Sequence, residues 1–401
     1  MTTEIVMHMS RLQKFTGKNF DKLDDVIDRA FGFCDKEMIS QVKELQKREE
    51  KGEKIYMPTF TLLQHMYNCA ITSRVLSSDA QKAYQYLIPL LKKDIHDQTM
   101  REKAMSAIIL EYAGDHERAK VYTESLRQYT KNDENRGRTF DTPRATFSWY
   151  SYKIPTHVAG MEALHMLCPE DIITFKEMQK WLLNEKRTQK WDTPIDSVNA
   201  VHALLLDADE YLSNDSSSVF YADGEKLIVD SQGNEGYVET EMSASTRNLK
   251  IEKLSKGLSW GAVFAQFLQP ISDVESQGSG MTIKREIITD KEELHVGDRI
   301  RVRLTYSCER NYDMVTVIDS KAACMEPVEQ LSWSDSFKNV SPRDTEVRYS
   351  YYGLGQGTHS IETEYYLDRP GTYEIGVATI ECTYAPEFRA VCKSQKIIVL
   401  R

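Results

Sequence analysis

Arg299-Ile300-Arg301-Val302-Arg303-Leu304 alternates apolar and basic residues without a break. A strand turns successive side chains to opposite faces, so Ile300, Val302 and Leu304 share one face and the three arginines the other. Working outward, Ile361, Thr363, Tyr365 and Leu367 repeat the period, and Arg369-Pro370-Gly371 supplies a turn. Tyr373, Ile375 and Val377 carry the alternation on. Several short strands within residues 281–401 predict an antiparallel β-sandwich.

Upstream of about residue 213 the rhythm is different. Phe60, Leu63, Met66, Tyr67 and Ile71 form an apolar stripe at helical spacing, as do Ala83, Tyr84, Leu87 and Leu91. Ala104, Ile108 and Tyr112 follow, then Phe175, Met178 and Leu182. Thr193-Pro194-Ile195-Asp196 reads as a helix start: Thr193 as N-cap, Pro194 in the first helical position, Asp196 near the positive end of the dipole. The helix that follows is expected to bury Val198, Val201 and Leu205. Short connections at Leu76-Ser77-Ser78-Asp79 and Gly114-Asp115 imply antiparallel helical hairpins. Residues 131–152, polar and then aromatic-rich, read as a loop. Repeated helix pairs without a tetratricopeptide-type repeat favour an α/α toroid over an open solenoid.

Between the two halves lies a polar break, Asn214-Asp215-Ser216-Ser217-Ser218. Strand-like pieces follow at Lys226-Leu227-Ile228-Val229, Asn248-Leu249-Lys250-Ile251 and Trp260-Gly261-Ala262-Val263-Phe264, with a turn at Ser231-Gln232-Gly233-Asn234. This piece is too small for a core of its own. Ser276-Gln277-Gly278-Ser279-Gly280 has the composition of a second linker. The expected division is a helical portion at 1–213, a partial β segment at 214–275 and the sandwich at 281–401.

Composition limits the function. The 401 residues suggest two or three domains, and 41% hydrophobic with 28% charged residues is ordinary for a globular chain, so disorder and fibres are set aside. Lys plus Arg is 51 and Asp plus Glu is 61, and the net charge of −10 disfavours nucleic acid and anionic membranes as partners. The longest largely apolar run, Ala200–Leu206, contains His202 and is far too short to span a bilayer. Met1-Thr2-Thr3-Glu4 does not open an export signal, which leaves a cytosolic protein or a piece of a longer precursor.

Several segments together resemble the C-terminal part of bacterial alpha-2-macroglobulin-like proteins. Glu177-Met178-Gln179-Lys180-Trp181-Leu182-Leu183-Asn184-Glu185-Lys186-Arg187-Thr188-Gln189-Lys190-Trp191-Asp192-Thr193, running into Ser197-Val198-Asn199-Ala200-Val201-His202, is similar to the helix, tryptophan turn and next helix near the end of that family's thioester domain. Leu258-Ser259-Trp260-Gly261-Ala262-Val263 resembles the strand closing its CUB-like domain. Val296-Gly297-Asp298, Val317-Ile318-Asp319, Met325-Glu326-Pro327, Pro370-Gly371-Thr372-Tyr373 and Tyr384-Ala385-Pro386-Glu387 resemble its last macroglobulin or receptor-binding domain. The resemblance implies a periplasmic or cell-surface parent that traps proteases, with a helical thioester-type portion, a partial CUB-like segment and a macroglobulin-type sandwich. Its partners would be proteases, bound through the full-length parent, and upstream macroglobulin domains of the same chain. The family's reactive Cys-Gly-Glu-Gln or Cys-Val-Glu-Gln motif does not occur: Cys34-Asp35-Lys36-Glu37 lacks the glutamine, and Cys324-Met325-Glu326-Pro327 has proline in its place. The reading therefore assigns the chain no catalytic residue, no cofactor and no metal, and a mechanism of surface binding with conformational change.

Two other functions compete. Asp24-Asp25-Val26-Ile27-Asp28 matches the acidic motif of prenyl-diphosphate enzymes, in which Asp24, Asp25 and Asp28 would bind Mg²⁺. The same residues read as the solvated side of an amphipathic helix carrying Leu23, Ile27 and Phe31. A carbohydrate- or peptide-binding module built on Met281–Arg401 is the second alternative, with Tyr349, Tyr351 and Tyr352 either a recognition surface or packing residues. His157, His165 and Cys168 could approach one another on a helix, short of the ligand number a closed zinc site requires. The seven cysteines include no Cys-x-x-Cys; Cys308, Cys324, Cys382 and Cys392 leave disulfides open, Cys308–Cys382 across strands among them. No Gly-x-Ser-x-Gly occurs, and Lys47-Arg48-Glu49-Glu50-Lys51 reads as a solvated face.

Overall fold

A computed structural model describes the chain outside residues 1, 17–20, 92–94, 135, 141–152, 190, 192, 208–217, 230–238, 255–260 and 267. Asn214–Ser217 of the polar break, the turn at Ser231–Asn234 and Leu258–Trp260 lie outside the described residues. The protein is helical in its first half and antiparallel β in its second. It forms two compact units: Met1–Asn184 with Trp191–Gly261, and Glu185–Lys190 with Ala262–Arg401.

The helical elements are α1 (Thr2–Thr16), α2 (Asp21–Glu50), α3 (Phe60–Ile71), α4 (Ser78–Leu91), α5 (Met100–Tyr112), α6 (His116–Gln128), α7 (Lys153–Leu167), α8 (Ile172–Thr188) and α9 (Pro194–Leu204). The stripes read from the sequence are the inward faces of α3, α4 and α8. Leu63, Met66, Leu87, Leu91, Met178 and Leu182 are fully buried, each contributing about 1.5–3 kcal/mol. Helix α5 is buried on nearly every side, from Met100 to Leu110, and packs on α3, α6 and α7. Its start is set by Thr99 and Glu102 in a reciprocal capping box. Its buried Lys103 lays its stem along the core and donates to Ser125 Oγ at 2.9 Å. Helix α1 packs on α2, α3 and α9.

Three expectations for this unit are corrected. Of residues 131–152, read as a loop, those up to Phe140 form an antiparallel hairpin, β1 (Thr130–Asp133) with β2 (Gly137–Phe140), while 141–152 lie outside the described residues. Gly137 sits at φ 93°, and a Cβ there would lie 2.4 Å from the Glu177 carbonyl oxygen of α8, so only glycine brings the hairpin onto that helix. Arg138 Nε donates to Glu177 Oε2 at 2.7 Å and holds it there. Helix α9 starts as expected at the Thr193–Asp196 capping box, but Val198 and Val201 are 46% and 50% exposed and Leu205 is half-buried. Its inward face is Asp196, Asn199, Ala200 and Ala203: the small alanines let α9 pack against α7, and Asn199 meets a buried arginine. The small sheet of this unit comprises β3 (Val219–Ala222), β4 (Glu225–Lys226) and β5 (Leu249–Glu252), in the order β4-β3-β5. Strand pairing stops at Lys226, so Leu227–Val229 is not strand, and Gly261–Phe264 is irregular and exposed.

The second unit carries β6 (Gln277–Ser279), β7 (Met281–Ile288), β8 (Leu294–His295), β9 (Arg299–Cys308), β10 (Tyr312–Ser320), β11 (Met325–Pro327), β12 (Trp333–Ser334), β13 (Lys338–Pro342), β14 (Glu346–Leu354), β15 (Gly357–Leu367), β16 (Gly371–Glu374), β17 (Ala378–Cys382), β18 (Arg389–Cys392) and β19 (Lys396–Leu400). One sheet runs β12-β13-β14-β10-β17-β18-β6, a second β11-β15-β9-β7, and a third, smaller one β16-β19-β8. Ile300, Val302 and Leu304 point into the core opposite Tyr365, Thr363 and Ile361 of β15. On the other face Arg303 pairs with Glu362 at 2.6 Å and Arg301 with the same carboxylate at 3.3 Å. The arginines of the alternating stretch are therefore surface cross-strand partners, worth tenths of a kcal/mol each.

A buried charge pair lies between the sheets' strands β7 and β10. Arg285 of β7 donates through Nε to Asp319 Oδ1 of β10 at 2.8 Å and through Nη1 to the Gly376 carbonyl at 2.6 Å. The run Tyr373, Ile375, Val377 does not continue one face. Gly376, at φ 92°, ends it between β16 and β17, which belong to different sheets. The chain there changes sheet, which an alternation pattern cannot register.

Candidate functional site

The predicted site residues separate rather than converge. Asp24, Asp25 and Asp28 lie on α2. Asp24 accepts from Gln13, and Asp28 pairs with Arg74 at 2.9 Å. His157, four residues into α7, is buried, donates through Nε2 to the Met178 carbonyl at 3.0 Å and packs 4.2 Å from the Trp181 ring. Burial holds it neutral, pushed down to about 3. His165 stacks on Phe175 at 4.6 Å. Cys168 lies beyond the end of α7 and is buried. These three have separate surroundings and form no ligand set.

All seven cysteines are buried and free. Cys308 lies on β9 of the four-stranded sheet and Cys382 on β17 of the seven-stranded sheet, so the two are not cross-strand neighbours. Burial pushes the Cys308 thiol up to about 11, with Cys382 adding to it. Tyr349 and Tyr351 face the core; Tyr351 exchanges a hydrogen bond with Tyr306 at 2.5 Å. Only Tyr352 of the three faces solvent.

Sequence reading missed the polar centre of the helical unit. Arg11 of α1 donates through Nη2 to Glu162 Oε2 of α7 at 2.6 Å and to the Tyr67 hydroxyl of α3 at 2.7 Å. Its Nη1 donates to Asn199 Oδ1 of α9 at 3.2 Å. Tyr67 also donates to Glu162, and His202 Nε2 lies 3.2 Å from Glu162 Oε1. Burial alone would raise the Glu162 carboxyl. The Arg11 charge, with hydrogen bonds from His202 and Tyr67, reverses this and holds it far below the usual carboxylate range. Burial, with the nearby Arg11 charge, lowers His202, so the imidazole is neutral. Glu4 of α1, paired with Arg101 at 3.0 Å and near His8, is likewise lowered despite burial. A cavity beside Arg11, lined by Met7, Tyr67 and Met105, has room for about one water molecule. A carboxylate held this firmly ionised, with no space for a substrate, is a poor general base near neutral pH. The network ties four helices together.

An outward-facing surface of another kind lies at the edge of the seven-stranded sheet. Strand β12 pairs only with β13, Trp333 opposite Val340. The turn between them is made by Asp335, whose Oδ1 accepts from Phe337 N at 2.7 Å and Lys338 N at 2.8 Å. These backbone donors hold the Asp335 carboxyl below its ordinary value. Phe337 in the turn is 73% exposed and Leu331, ahead of β12, 76%, with Trp333, Val328 and Tyr352 also in solvent. An edge strand carrying exposed aromatic and aliphatic groups is a surface of the kind that takes up another polypeptide, through main-chain pairing and apolar contact. It offers binding and no bond-making group.

Residues 273–387 match the family described as the Bacterial Alpha-2-macroglobulin MG10 domain. Among solved structures, trypsin-activated alpha-2-macroglobulin from Escherichia coli aligns with 100% of this chain and 27% of its own, at 12% identity and TM-score 0.46. Salmonella alpha-2-macroglobulin reacted with methylamine aligns with 100% of this chain and 25% of its own, at 14% identity and TM-score 0.32. Native Escherichia coli alpha-2-macroglobulin from domain MG7 to the C-terminus gives 100% and 72%, at 12% identity and TM-score 0.29. The chain thus spans about a quarter of the length of the first two. No curated protein sequence matches it. The C-terminal part of the chain is alpha-2-macroglobulin-like, on the evidence of the family match.

Proposed function

We propose, from the premise that residues 273–387 are an MG10-type domain, that this chain is a non-catalytic, contact-forming part of a protease-trapping protein. That match is the observation that carries the reading. In this mechanism a protease cuts a bait segment elsewhere in the parent, stored strain relaxes, and helical and sandwich domains move to enclose it. The parent works in the periplasm or at the cell surface. The chain divides into an incomplete helical thioester-type domain at 1–213, a partial CUB-like segment at 214–275 and a macroglobulin-type sandwich at 281–401. The packing of α3 on α5, α5 on α7 and α7 on α9 supports a portion of an α/α toroid.

The buried, fully engaged Glu162 network supports a structural role for the helical core. The apolar β12 edge supports contact with another polypeptide, either a protease or an upstream domain of the same protein.

The test uses the gene product that contains this chain. It is mixed with trypsin, and hydrolysis of a small peptide amide is compared with hydrolysis of a large protein. Trapping leaves the first nearly intact and suppresses the second. Equal suppression of both, or of neither, overturns the reading.

A further inference from the structure

Away from the surfaces described above, three ligating side chains converge on one point of the helical unit. Asp35 projects from α2; His65 and Cys69 stand one turn apart on α3, on the same helix face. Asp35 Oδ1 lies 2.8 Å from His65 Nε2, and Cys69 Sγ lies 3.8 Å from the same nitrogen. All three donor atoms lie within 4.8 Å of one another. His65 is 2% exposed and Cys69 5%, whereas the Asp35 carboxylate keeps partial access to solvent. The Phe31 ring, 5.9 Å from the imidazole, walls the point on one side. Arg74 stacks over Phe31 at 4.2 Å and pairs with Asp28 at 2.9 Å, and its charge also acts on the Cys69 thiol.

Metal–ligand bonds of about 2.0–2.3 Å around a tetrahedral centre set donor–donor edges of roughly 3.4–3.6 Å. The observed 2.8 and 3.8 Å bracket that range and the third edge lies within 4.8 Å, so side-chain movements of roughly half an ångström to one ångström would set the three donors around an ion. The competing arrangement is a plain aspartate–histidine hydrogen bond. That pair has no use for a thiol, yet Cys69 is directed at the same imidazole nitrogen. One nitrogen, one oxygen and one sulfur suit zinc or cobalt and not the hard cations magnesium and calcium. Three protein ligands leave a fourth position for water.

We propose that Asp35, His65 and Cys69 form a three-ligand site for a borderline-soft divalent cation of the zinc type, cross-linking α2 to α3. The proposal is independent of protease trapping.

The full chain, stripped with a chelator and dialysed, is titrated with Co²⁺. One equivalent is expected to bind, with a thiolate-to-cobalt charge-transfer band in the near ultraviolet that Zn²⁺ displaces. Cys69→Ser abolishes the band, Asp35→Asn weakens Co²⁺ binding by at least about tenfold, and Cys168→Ser leaves both unchanged. Circular dichroism checks that each variant is folded; Asp35→Asn, on the solvent side, serves if Cys69→Ser is not. The proposal is overturned if the folded chain takes up no Co²⁺, if the band survives Cys69→Ser, or if Asp35→Asn binds as tightly as the parent.

Discussion

Glu162→Gln changes one atom and removes the negative charge at the centre of the helical unit. The glutamine keeps the shape and can still accept from Tyr67, but Arg11 would remain buried with no counter-charge. With charge centres about 4 Å apart and an effective dielectric of about 20, the lost attraction is about 4 kcal/mol. Measured losses on breaking one side of a buried pair, about 3–5 kcal/mol, agree. A helical unit of this size should then melt about 6–20 °C lower. The assay is thermal and urea unfolding of the full chain followed by helical circular dichroism, which reports this unit and little of the sandwich. If Glu162→Gln costs less than about 1 kcal/mol, a surface-like value, then the network is not the dry, charge-paired centre described above.

Acid should weaken the same unit first. Glu162 and Glu4 are lowered in the folded state from an ordinary value of 4.5. Their contribution is complete above that pH and is lost as pH falls below it; helical unfolding free energy measured from pH 7 to 3 should decline in that window, and a flat profile would contradict the pairing. Gly376→Ala places a Cβ 2.7 Å from Ser320 Cβ at φ 92°, for an expected loss of about 1–3 kcal/mol in sandwich stability, read by tyrosine fluorescence on urea unfolding. Phe337→Asp, on an exposed turn, should leave that stability within about 0.5 kcal/mol while weakening suppression of protein hydrolysis by the parent. Thr193→Ala removes the cap of α9 and should cost about 1 kcal/mol, visible as a lower helical melting midpoint.

Periodicity made much of this protein legible before any coordinates. The stripes of α3, α4 and α8, the Thr193–Asp196 cap and the alternation of β9 and β15 depend on neighbours within a few residues, and all are found. What periodicity cannot see is which face has a partner. Helix α9 carries valines and alanines on different sides, and the core took Ala200, Ala203 and Asn199 because α7 and Arg11 were there to meet them. The hairpin at Thr130–Phe140 depends on one glycine lying against α8, and the change of sheet near Gly376 on another. Arg11, Tyr67, Glu162 and His202 come from four helices, as Asp35, His65 and Cys69 come from two. Single polar residues so far apart leave no pattern along a chain; packing alone decides that they share a low-dielectric interior, and with it their charges and bonds.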